Sequence, residues 1–69
     1  MITVTKIIHQ PGDSDQDYQI EAFADTKEEV VPGATFVGMP TGNMQHGSSV
    51  LTAAGDVGFL KSDGTWAWL

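Results

Sequence analysis

Asp13, Asp15 and Asp17, at alternate positions in "DSDQDY", form the densest cluster of chemistry-bearing side chains in the sequence. Hard Ca²⁺ takes several oxygen ligands, and calcium loops of the EF-hand kind begin with this spacing. The pattern then lapses. Counted from Asp13, the sixth position holds Tyr18 where the loop needs Gly, and the twelfth holds Ala24 where it needs Glu. A solvated acidic loop is the expectation. His9 and His46 are the two histidines, the side chains that titrate near neutral pH. His46 precedes Gly47-Ser48-Ser49, but that triplet lacks the third group that orients the base of a triad. Glu28 and Glu29 are adjacent, so on a helical turn they diverge and do not pair for acid–base work. "TGNMQHG" carries no Lys and lacks the spacing of a phosphate loop. No catalytic set, metal site or cofactor is expected, and the chain does not read as an enzyme.

The aromatic residues are the remaining candidates. Trp66 and Trp68 stand two apart in "GFLKSDGTWAWL", at the end of the sequence. Aromatic side chains are enriched at interface hot spots, and in a small chain they are also needed as core. Trp66 and Phe59 are expected to close the core. Trp68 is divided between core and interface. With Tyr18, these residues form the candidate interface: Tyr18, Phe59, Trp66 and Trp68.

What must position them is one small domain spanning 1–69. A chain of 69 residues is marginal alone and usually carries a staple. There is no cysteine, which excludes disulfides and thiolate metal sites. Oligomerisation, or docking into a larger assembly, is the staple left. Net charge is −6, with three Lys and no Arg, so the basic patch of a nucleic-acid binder is missing. No apolar run approaches a membrane span, and "MITVTKIIHQ" lacks the plan of a signal peptide. Residues 1–29 hold seven of the nine acids, and residues 30–69 are close to neutral. Adhesive surface is expected in the second half.

"ITVTKII" alternates as a strand, and "YQIEAFA" alternates again, with Tyr18, Ile20 and Ala22 opposite Gln19, Glu21 and Phe23. Together they make the N-terminal part, 1–24, with its acidic loop. "DTKEEVVPG" (25–33) reads as a short helical turn, started by Asp25 or Thr26 and stopped by Pro32-Gly33. Residues 34–69 read as a β-meander, with "ATFVGM" a short strand and "PTGNMQHG" a loop. Asp63-Gly64 suits a two-residue hairpin turn, pairing Lys61 with Trp66 and Phe59 with Trp68. Val57, Phe59, Trp66 and Trp68 would then share one face, with Leu60, Ala67 and Leu69 on the other. At Ala53-Ala54-Gly55 a three-residue loop is preferred, because a two-residue turn forces Ala54 to positive φ. It sets Leu51 opposite Val57. The expected fold is all-β: an antiparallel meander or sheet of four to five short strands with one helical turn. Whether residues 1–23 join the same sheet as 47–69 is open.

Ala24-Asp25-Thr26, Gly47-Ser48-Ser49, Ala54-Gly55-Asp56 and Asp63-Gly64-Thr65-Trp66 recur in one order over residues 24–69. That order resembles small structural proteins of phage and prophage virion gene clusters. It departs from them in the strand after the Gly turn, which often carries Tyr and here reads "VGFL". The resemblance implies a head, head-fibre or tail accessory protein, made in a bacterial host's cytoplasm and incorporated into the virion. Its partners would be other virion proteins or further copies of itself, with no nucleic acid and no membrane. The alternative is a small ligand- or glycan-binding module that uses Trp66, Trp68 and Tyr18 as a stacking platform.

Overall fold

The computed structural model describes residues 1–9 and 17–69. Alternating β-branched residues build β1 (Ile2–His9) and the alternation of "DYQIEAFA" builds β2 (Asp17–Ala24). They pair antiparallel, with Ile2 opposite Ala24 and Val4 opposite Ala22. A single 3-10 turn, Lys27–Glu29, follows Thr26 at its N-cap. Five short strands complete the element order: β3 (Phe36–Val37), β4 (Asn43–Met44), β5 (Ser49–Thr52), β6 (Val57–Leu60) and β7 (Trp66–Trp68). The all-β class with one short helical turn is as the sequence pattern predicts, but the sheet has seven strands where four to five were expected, and it is mixed where an antiparallel one was expected.

The strand order is β3-β1-β2-β5-β6-β7, with β4 beside β2. Three pairings are parallel: β1 with β3, β2 with β4, and β2 with β5. The β2–β5 pairing joins the two halves of the chain into one sheet, which answers the question left open by the sequence. It also requires a long crossover, residues 25–48, because parallel neighbours cannot be joined by a tight turn. That crossover carries β3 and β4 into the sheet and packs apolar side chains against one face of it. It contributes buried Val30 and half-buried Ala34, Phe36, Met39 and Met44 to a core otherwise made of Ile2, Ile20, Ala22, Ala24 and Val50.

The sheet is strongly curled. Strands lie about 4.8 Å apart, so β3 and β7 would be about 24 Å apart in a flat sheet. Instead the Phe36 and Trp66 rings stack, with centroids 5.9 Å apart and planes 14° from parallel. Two register shifts in β1, between Val4 and Lys6 and between Ile7 and His9, are bulges of the kind that bend a strand. Thr5 Oγ1 donates to the Glu21 carbonyl (3.2 Å) at the first of them. The bulges also end the alternation of β1, leaving Ile7 and Ile8 exposed.

The two C-terminal hairpins have the same turn. Gly55 N–H donates to the Thr52 carbonyl and Thr52 N–H to the Asp56 carbonyl. One hairpin later, Gly64 N–H donates to the Lys61 carbonyl and Lys61 N–H to the Thr65 carbonyl. Each is a three-residue loop with glycine in the left-handed region, at φ 92° and 88°. The preferred Ala53-Ala54-Gly55 loop is found, and Leu51 faces Val57.

The two-residue Asp63-Gly64 turn is not found. Asp63 would need positive φ, which no non-glycine residue among those described adopts. Its carboxylate instead accepts from Thr65 N–H (3.0 Å) and Thr65 Oγ1 (2.6 Å), which fixes the looser loop. The register therefore shifts by one: Leu60 faces Trp66, Phe59 faces Ala67 and Gly58 faces Trp68. Leu60 joins the tryptophans on the inner face, while Val57 and Phe59 join Ala67 on the outer one.

Candidate functional site

Ser48 shows how the sheet is held where β4 gives way to β5. The register of β2 against β4 differs by two residues from that against β5, because the chain bulges after Gln45, whose N–H still donates to the Tyr18 carbonyl. Gly47 takes φ 90° there. The break would leave the Ile20 N–H unpaired inside the protein. Ser48, fully buried, accepts it on Oγ at 3.1 Å and donates from the same oxygen to the Gln45 carbonyl at 2.7 Å. Sequence reading weighed Ser48 for chemistry only beside His46, as a rejected triad candidate, and a Gly-Ser pair carries no signal of a buried hydroxyl.

The residues singled out for chemistry do not come together. Asp13 and Asp15 lie outside the described residues. Asp17 opens β2 and accepts from Asn43 Nδ2 at 3.2 Å. His9 is the last residue of β1, and His46 is exposed in the β4–β5 link. Glu28 is exposed, whereas Glu29 accepts from Thr26 N–H (2.9 Å) and pairs with the Met1 ammonium. That ammonium, with Asp25 as its second partner, holds the Glu29 carboxyl below the usual carboxylate range. The two acids in turn raise the pKa of the amine. Among the described residues, no three His, Asp or Glu side chains are grouped to hold a metal ion.

The aromatic candidates divide by face. Trp66 and Trp68 point inward and are half-buried against the core. Trp66 stacks on Phe36, and Lys27 Nζ lies 5.1 Å from the centre of the Trp68 ring. Gly58 makes room for it: a Cβ there would come within 2.9 Å of the Trp68 ring. Only glycine lets that ring lie flat against β6. Tyr18, beside Met44, is also half-buried against the core.

Phe59 belongs to the opposite surface. Val37, Thr3, Phe23, Leu51 and Val57 lie in register across β3, β1, β2, β5 and β6. Leu69, whose N–H donates to the Val57 carbonyl, extends the row beyond β7. The next row runs Lys6, Glu21, Ser49, Phe59 and Ala67. Phe23, Leu51 and Phe59 are 39%, 47% and 38% exposed. The first row contains no charged side chain, although the chain carries −6 overall. The outer face therefore carries a mostly apolar row, bordered by Glu21 and Lys6, that no described segment covers. Scattered apolar residues on a surface are ordinary, but a contiguous apolar row marks an interaction site.

Compared with protein families, curated proteins and solved structures, the chain matches none.

Proposed function

We propose that this chain is a non-catalytic structural or adaptor protein of a phage-type virion, and that it acts through protein–protein contacts. The observation that carries the reading is the open apolar row Val37, Phe23, Leu51, Val57, Leu69, seated on a sheet whose inner face is already filled. The row itself carries no charged side chain, so burying it gains apolar contact while Lys6 and Glu21 stay at its rim. The virion setting is supported by the resemblance over residues 24–69, and the small fully buried core fits a protein that gains stability from an assembly. The partner is a virion protein that presents an apolar surface of its own.

The test is binding to purified capsid, portal or tail proteins encoded beside this chain's gene. Wild type should bind one of them. A Phe23→Ser/Leu51→Ser variant should stay folded and bind at least tenfold more weakly. Equal binding by both proteins, or no binding to any neighbour's product, contradicts the reading.

A further inference from the structure

The two edges of the sheet are guarded unequally. At one edge, β3 pairs over only two residues, and Pro32, Gly38 at φ 89° and Pro40 flank it. Prolines and abrupt turns are how edge strands avoid further pairing. At the other edge, β7 is also short, at three residues, but no proline or positive-φ glycine adjoins it directly. From Gly64 through Leu69 there is no proline and no charged side chain.

The register fixes which backbone groups of β7 are free. Lys61 bonds Thr65 and Leu69 bonds Val57, so Thr65, Ala67 and Leu69 direct their backbone toward β6. Trp66 and Trp68 therefore direct their N–H and C=O groups away from the sheet. With β7 last in the strand order, no described strand receives them. Their side chains are already held inward, by the stack on Phe36 and by Lys27 and Gly58.

We propose that β7 pairs antiparallel with β7 of a second copy, with the two-fold axis at Ala67. This deepens the protein-contact reading above by naming one partner, and it rests on that reading. In this register Trp66 stands opposite Trp68 of the second copy, and each pair exchanges both of its backbone hydrogen bonds. Every outward group of β7 is satisfied by its symmetry mate. A small side chain sits on the axis, where the strands approach most closely. On the outer face only the two Ala67 side chains stand between Phe59 and its counterpart, so no charge interrupts the surface from one molecule to the next. Charge favours this meeting point: two chains of −6 each come together along a segment that carries no charged side chain.

The test uses the full chain. Wild type should sediment as a dimer at high micromolar concentration. Ala67→Lys and Ala67→Glu each place like charges directly opposite across the axis, which is destabilising. Each should dissociate at least tenfold more readily, while near-ultraviolet circular dichroism shows the native fold. Mixing the two, one of them isotope-labelled, should restore a mixed dimer in native mass spectrometry. A synthetic chain with the Trp68 nitrogen methylated loses an outward donor without changing any side chain, and should be a folded monomer. A monomeric wild type, single variants that stay dimeric, no mixed dimer on mixing, or a dimeric methylated chain would overturn the proposal. A monomeric wild type that still binds a neighbouring virion protein through Phe23 and Leu51 would leave the proposed function standing.

Discussion

The inner and outer faces of the sheet are made of similar residues but do different work. Inside, Ile20, Ala22, Val50 and Gly58 are small or branched, and the crossover and the tryptophans close over them. Outside, Phe23, Leu51 and Phe59 are larger, yet nothing among the described residues covers them. Side-chain size alone therefore does not say which face is core. The connection does: a parallel β2–β5 pairing forces a long crossover, and the face it crosses becomes the interior.

The largest effect that tests this contrast is Trp66→Ala. Trp66 joins the two edges through Phe36, and emptying such an aromatic site typically costs about 3–5 kcal/mol. A core this small supplies about 3–5 kcal/mol in total, so the variant should be largely unfolded by circular dichroism. Normal folding would mean that the curl does not depend on the stack.

A smaller loss is expected from Ser48→Ala, which leaves the Ile20 N–H buried without its partner. Such orphaned groups cost about 1–3 kcal/mol. Denaturant unfolding should show that loss, and a midpoint equal to wild type would place water or another acceptor at the break between β4 and β5.

The smallest effect is a pH dependence. Thr65, through its hydroxyl and then its N–H, holds the exposed Asp63 carboxyl below the ordinary range. A depressed folded pKa means the contribution is complete above the unfolded value and fades as pH falls through the folded one. Wild type should lose melting temperature below about pH 4. Asp63→Asn keeps an acceptor for Thr65 but cannot titrate, so it should lose less over that interval. Glu29, also depressed, keeps the slope from vanishing. Identical acid profiles would mean that the contact is not made in solution.

Much of the fold was legible because the signals are local. The alternation of "YQIEAFA" placed Ile20 and Ala22 opposite Phe23, and positive φ at Ala54 argued correctly for the longer loop. Asp63-Gly64 misled because the same dipeptide serves both hairpin turns, and the choice rests on a side-chain contact to Thr65. A one-residue error there exchanged Phe59 for Leu60 between the faces. The parallel partners of β2 were not legible, since pairing across the 25–48 crossover leaves no periodic trace. The two-residue strands β3 and β4 are too short to show a period at all. The candidate surface was partly visible: Phe59 was named as an interface candidate but placed on the wrong face, while alternation separated Phe23 from Ile20 and Ala22 without marking it as interface.

The central claim is that the outer face is open surface and the inner face is core. The melting temperature of Phe23→Ser/Leu51→Ser tests it most directly, at a concentration where wild type is monomeric. The two side chains are cross-strand neighbours on β2 and β5, and such a pair contributes about 0.2–1 kcal/mol. The double variant should melt within a few degrees of wild type, with a native near-ultraviolet spectrum. Unfolding as complete as that of Trp66→Ala would contradict the account and make the outer face part of the core.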